Sequence, residues 1–321
     1  MPCLVDARRC TVVRPWRAPA LVLVTRDMAS GDLVEPIRRI EMKYFETYYI
    51  CNVVSNVLND PMPYIRRLHD FFGDGRTAGL VAPFRKFSAL HEFLWFVADD
   101  LMWDAADEFD LAKRQQDLAR FPSSHLPEFD KSKWLPVEAA LAHYAIQYPS
   151  FEQWLLERGS TFGDADENDV SDYMDDFGLD QAHEDLLTKM VEEAFFLLFM
   201  NRAVLVSFNE LAATHVQEID PQEEEEPTAQ WFARSGVLKR VSPPSWAKRA
   251  VYFRDRGHCV LCRKDLTDLL SLDATKNFDH VVPLARGGLN DVSNLQLICG
   301  SCNLQKSDGE SVTSDLYEHW F

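Results

Sequence analysis

The sequence predicts a mainly α-helical N-terminal domain joined by an acidic linker to a small α+β C-terminal domain braced by metal. Three observations carry this. Apolar residues recur at three- and four-residue steps through much of 33–215, the period of an amphipathic helix. The run Glu218 to Pro227, with Glu223 to Glu226 consecutive, has no apolar face and reads as a solvated connector. Beyond it, Cys259 and Cys262, then Cys299 and Cys302, form two Cys-x-x-Cys pairs, the spacing that turns two thiolates onto one tetrahedral zinc. The implied parts are an arm (1–30), a helical domain (31–216), a linker (217–235) and the C-terminal domain (236–321).

Residues 1–30 place Arg8, Arg9, Arg14, Arg17 and Arg26 around short apolar pieces, of which Leu21 to Val24 reads as a short strand. The apolar core and small-residue cleavage site of a signal peptide are not matched, and Met28 stands as a second candidate start. From Leu33 the stripe Leu33, Ile37, Ile40, Tyr44, Tyr48, Cys51, Val54, Leu58 predicts a helix. It ends at Asn59-Asp60-Pro61, and a shorter helix follows to Phe72. The glycines of 73–83 mark a loop. A long helical stretch is predicted over 84–120, a proline-punctuated loop over 122–136, and further helices near 137–148, 151–158 and 181–215.

Two motifs in this region resemble metal sites but read more simply without metal. His91-Glu92 opens like a zinc-protease motif, but Trp95 stands where the second histidine is needed, so packing is expected. Asp164, Asp166, Asn168, Asp172 and Asp175 imitate a calcium loop, with Asp169 where that loop needs glycine and no bidentate Glu at its end. An acidic helix start explains them more simply.

Composition sets limits. A content of 46% hydrophobic and 12% aromatic residues supports packed cores. The other three cysteines, Cys3, Cys10 and Cys51, are scattered and odd in number, which suits a reducing compartment better than a disulfide framework. No apolar run approaches the ~18 residues of a membrane span, so a cytoplasmic protein without membrane partners is expected. Residues 236–321 hold 11 Lys and Arg against 10 Asp and Glu, a balance of +1, so the rest of the chain carries −19 of the formal total of −18. Within 239–264, eight basic residues stand against Asp255 alone. Such a band suits a phosphate backbone, whereas the acidic domain would repel one. Regulation or a protein or ligand partner is the role expected for that domain.

Between the cysteine pairs lie Asp279-His280 and Asn294, and Asn303 and Lys306 follow the last cysteine. In this order, within a paired-cysteine frame, residues 245–310 resemble the HNH endonuclease family. Asp279-His280 matches its first element, Asn294 its second, and Cys302-Asn303-Leu304-Gln305-Lys306 its third. Asn303 departs from the more usual histidine, as in the family's His-Asn-Asn variants. The resemblance implies a ββα-metal fold with structural zinc at the four cysteines, and metal-dependent cleavage of DNA, with RNA not excluded. His280 would be the general base, its unperturbed pKa being close to working pH. Asp279, a hard oxygen ligand, and Asn303 would hold Mg²⁺ or Mn²⁺, and Asn294 would tie down the loop and orient His280. Lys306, one helical turn from Asn303, is expected to meet a phosphate, with Arg286, Lys248, Arg249, Arg254 and Arg256 as further nucleic-acid contacts. Two other readings stay open. The domain is a catalytically weak, zinc-stabilised nucleic-acid-binding module, or the helical domain is a sensor restraining a nuclease in a restriction or phage-defence setting.

Overall fold

The computed structural model describes residues 42–73, 75–120, 134–224, 227–268, 276–306 and 309–314. The arm, its expected strand at Leu21–Val24 and the first turns of the helix expected from Leu33 lie outside these residues.

The N-terminal region is helical. Helices α1 (Thr47–Asn59), α2 (Ile65–Phe72), α3 (Ala89–Asp107), α4 (Leu111–Arg120), α5 (Pro136–His143), α6 (Phe151–Glu157), α7 (Glu167–Gly178), α8 (Gln181–Phe199) and α9 (Arg202–Val216) follow one another. The stretch expected as one helix over 84–120 starts five residues later and breaks at Glu108–Asp110, where Lys113 N–H is taken by Asp110 Oδ1 at 2.8 Å. The stretch over 181–215 breaks at Asn201, whose side chain caps α9 by accepting from Ala203 and Val204 N–H. In both places a short polar side chain competes for backbone donors and starts a new helix. Asp166 does the same for α7, accepting from Asn168 and Asp169 N–H. The oxygens that imitate a calcium loop are therefore partly spent on a helix cap.

The described residues form two compact units, one within Met1–Val53 and Asp99–Leu186, the other within Val54–Ala98 and Leu187–Phe321. The first is packed with aromatic rings, Phe151, Trp154, Tyr173 and Phe177 among them. Glu138 is buried there and ties two helix starts together. Its carboxylate accepts from Leu135 N–H at 2.7 Å and from Phe151 N–H at 3.2 Å. Burial raises its pKa to about 7, against the lowering effect of those two donors. A carboxyl group with a raised native pKa gives stability that is fully present below its unfolded value and lost as pH rises through about 7. Acidification from pH 8 to 5 should therefore stabilise the wild type relative to Glu138→Gln by on the order of 2–3 kcal/mol, read from urea midpoints. An unchanged difference between the two proteins at both pH values would contradict this.

The second unit contains the C-terminal α+β elements. These are β1 (Phe232–Arg234), β2 (Val237–Leu238), α10 (Ser245–Arg254), β3 (Lys276–His280), β4 (Leu295–Cys299) and α11 (Gly300–Lys306). Strands β1 and β2 form one antiparallel pair and β3 and β4 another, with Asp279 opposite Gln296 and His280 opposite Leu295. The segment expected as a solvated connector is only partly so. Its end folds into the β1–β2 hairpin, Phe232 and Leu238 are buried, and Gly236 N–H donates to Ile219 O at 3.1 Å.

This unit cuts across the boundary that composition marks at 217–235. Its core joins Ala247, Val251, Val260, Leu266, Leu295, Leu297 and Ile298 to Phe84, with Phe199 of α8 packed against it. Hydrogen bonds follow the same seam. Phe84 N–H donates to Asn290 O at 2.8 Å, Asn209 Nδ2 to Ser293 Oγ at 3.3 Å and Gln217 Nε2 to Arg286 O at 2.7 Å. Asp291, fully desolvated, accepts Ala89 N–H at 3.0 Å and so caps the first turn of α3 from a loop 202 residues away. A module of this size buries too little apolar surface alone; these helices supply part of its core. Among the described residues no helix is long and apolar enough to cross a membrane.

Candidate active site and metal centre

Four sulfurs converge where the two ends of the module meet. Cys259 and Cys262 lie in the turn after α10, Cys299 ends β4, and Cys302 lies on α11. Their Sγ atoms all lie within 4.8 Å of one another, and Cys262 and Cys299 are 3.6 Å apart. That distance is far too long for a disulfide. Zn–S bonds of ~2.3 Å in a tetrahedron separate sulfurs by roughly 3.8 Å, so the cluster fits zinc. Burial pushes the Cys299 thiol up, but hydrogen bonds from Ser301 Oγ at 3.1 Å, Cys302 N–H and neighbouring sulfurs bring it down to about 6. It is poised toward the thiolate a metal requires.

Strand β3 delivers Asp279 and His280 on successive positions, hence to opposite faces. Asp279 Oδ2 accepts from Lys306 Nζ of α11 at 2.7 Å and from Gln296 Nε2 at 3.4 Å. Lys306 also donates to His280 O, and its side chain is only 2% exposed. Lys306, expected to meet a phosphate, is thus held inside the site as the counter-ion of Asp279. The reason is register: the helical turn from Asn303 that was expected to aim it outward brings its ammonium back over β3.

His280 is 2% exposed, and neither ring nitrogen has a hydrogen-bond partner among the described residues. The Asn290 amide acts on the ring as a hydrogen-bonding group that raises its pKa, while its Nδ2 donates to Lys239 O at 2.8 Å and its Oδ1 accepts from Val241 N–H at 3.4 Å. Burial first, then the positive charge of Arg240, lowers the His280 pKa to about 4. The imidazole is therefore neutral at pH 7.

Asn294 lies at the entry to β4, fully buried. Its Oδ1 accepts Val282 N–H at 2.8 Å, while its Nδ2 donates to Val282 O at 3.0 Å and to Leu289 O at 2.9 Å. Its own carbonyl accepts Val281 N–H at 2.7 Å. Every polar atom of this side chain closes the loop that leaves His280. Gly288 permits the closure: a Cβ there would stand 2.0 Å from Val282 O. Asn303 sits half-buried on α11, which packs on β3.

With these contacts in view, the comparison with known families is decisive for this segment. Residues 259–309 match the family model described as HNH endonuclease. The C-terminal segment is an HNH domain. No match was found among curated proteins or among solved structures.

The expected nucleic-acid contacts of the HNH region divide. Lys248 and Arg249 on α10 and Arg286 in the 281–289 loop are exposed, and Arg256 is half-buried. Arg254 requires correction. Its side chain is 2% exposed, and it forks onto Asp255 through Nε at 2.8 Å and Nη2 at 2.9 Å, with Nη2 also reaching Leu295 O. Arg254 shares the buried face of α10 with Ala247 and Val251, so that position turns inward and its guanidinium braces β4. Reading the sequence alone overlooked Gln296, Asn290 and Arg202. Only Gln296 leaves a trace, as the one polar residue within the apolar run of β4.

Proposed function

We propose that the HNH domain hydrolyses phosphodiester bonds in DNA with the aid of a divalent cation. The observation that carries this is His280, a buried neutral imidazole whose ring nitrogens have no hydrogen-bond partner among the described residues by geometry, next along β3 to the Asp279 carboxylate. Burying polar atoms without partners costs about 1–3 kcal/mol each, so the ring is poorly explained as a structural residue. Its free nitrogens suit a group that takes a proton from water. Asp279 and Asn303, through hard oxygen atoms, would hold the cation. When bound, it supplies charge stabilisation on the phosphate and the leaving oxygen. Asn294 keeps the loop, and through it His280, in place. Lys306 neutralises Asp279 in this state and must release Oδ2 for the carboxylate to take another cation.

That release, and the closure of His280 from solvent, suit a nuclease held in a resting state. Residues 54–98 and 187–216 share a compact unit with the HNH domain, which fits the helical region as the restraining element, in a restriction or phage-defence setting. The same closure also favours a second reading, a zinc-stabilised nucleic-acid-binding module with little catalysis. Supercoiled plasmid incubated with zinc-loaded protein separates them. Conversion to nicked circles with Mg²⁺ or Mn²⁺, stopped by EDTA, is expected. Binding without conversion under either metal would reject the nuclease in favour of the module.

A further inference from the structure

Gln296 stands opposite Asp279 in the β3–β4 register, and directly opposite residues of an antiparallel pair share one face. It is the one polar residue within the apolar run of β4, and it is fully buried. Its amide nitrogen is used twice. Nε2 donates to Val312 O at 2.8 Å and to Asp279 Oδ2 at 3.4 Å, beside the bond from Lys306 Nζ at 2.7 Å. Those two acceptors fix which end of the amide faces them, because its oxygen in that place would meet two other oxygens. Oε1 is left buried, with no hydrogen-bond partner among the described residues. An unmet buried acceptor costs about 1–3 kcal/mol, and a leucine would continue the run of β4 without that cost. Anchoring Val312 explains the nitrogen and leaves the oxygen unexplained. What the oxygen lacks is a donor close to the Asp279 carboxylate. A small hard cation such as Mg²⁺, held by one or two carboxylates, keeps several of its waters, and each such water is a hydrogen-bond donor.

We propose that Gln296 is a positioning residue for the cation that Asp279 would hold: its N–H orients the carboxylate, and its carbonyl oxygen accepts from a water on the ion. This role rests on the cation-assisted reading of the HNH domain, and one titration separates the two. Mn²⁺ is added to full-length zinc-loaded protein without nucleic acid, and the free ion is counted by electron paramagnetic resonance. Gln296→Met, Gln296→Glu and Asp279→Asn are titrated alongside, with zinc content and urea midpoint measured in each. Groups hydrogen-bonded to a metal's ligands contribute roughly 10–100-fold in affinity, so Gln296→Met should bind Mn²⁺ at least tenfold more weakly, with zinc unchanged. Gln296→Glu keeps an acceptor oxygen at that place and should match or exceed the wild type. A residue that served only to tether Val312 would behave differently, since both variants lose the N–H donor and both would shift alike. Affinity unchanged in Gln296→Met, or lowered equally in Gln296→Met and Gln296→Glu, would overturn the role of Gln296 while weak binding by Asp279→Asn keeps the cation at Asp279. Binding no stronger in the wild type than in Asp279→Asn would overturn both. Should Gln296→Met fail to fold, Gln296→Asn, which withdraws the amide by one carbon, replaces it with the same expectation.

Discussion

Cys299→Ser, or removal of zinc by a chelator, should unfold the HNH domain and take part of the helical region with it. Structural zinc in finger peptides contributes on the order of 10–16 kcal/mol, and a whole domain is typically stable by only about 5–15 kcal/mol. The cysteines also stand within the core: Cys259, Cys299 and Cys302 are buried in the cluster that includes Phe84 and packs against Phe199. Losing the metal leaves four thiols crowded within 4.8 Å with no ion to hold α11 against the turn after α10. The bonds from Asp291 to Ala89 and from Asn209 to Ser293 should then fail as well. Hydrogen exchange measures the extent. Faster exchange is expected over 236–306, α9 and the start of α3, with 111–120 and 134–186 little changed. Exchange that accelerates only beyond residue 236 would contradict the shared core and favour an independent C-terminal domain.

His280→Ala should abolish cleavage while leaving the fold intact. General-base catalysis contributes roughly 10²–10⁴-fold, so a single-turnover rate lower by that factor is expected. Stability argues the other way from an ordinary core histidine. Removing a ring whose two nitrogens have no partners among the described residues relieves about 1–3 kcal/mol per unsatisfied group, and the cavity left behind costs a similar amount. The two effects nearly cancel, so the urea midpoint should move little. A large destabilisation with an unchanged rate would mark His280 as a packing residue.

How far the sequence discloses this depends on the range of each interaction. The cysteine pairs, Asp279-His280 and Asn294 are legible because their meaning lies in close spacing and order along the chain. Helices α5, α6 and α9 are legible from periodicity, since each buries a continuous stripe. The breaks at Asp110 and Asn201 are less so, because one polar side chain outweighs an unbroken apolar pattern. What is not legible is pairing across distance. Arg254 looks like any basic helix residue until Leu295 O, 41 positions on, is placed against it. Lys306 reads as a phosphate contact until its ammonium is found on Asp279, 27 positions back. Phe84 and Asp291 belong to one unit although more than 200 residues separate them, and composition at 217–235 points to a boundary just where the packing has none.

The central claim is that a four-sulfur frame holds one unprotonated imidazole ready to act on a sugar–phosphate linkage. It is tested most directly by comparing zinc-loaded wild type and His280→Ala on supercoiled plasmid, with Mn²⁺ and with Mg²⁺, both proteins first shown to contain one zinc per chain. The account predicts nicking by the wild type and at least a hundredfold slower nicking by the variant. Equal rates in the two proteins would contradict it.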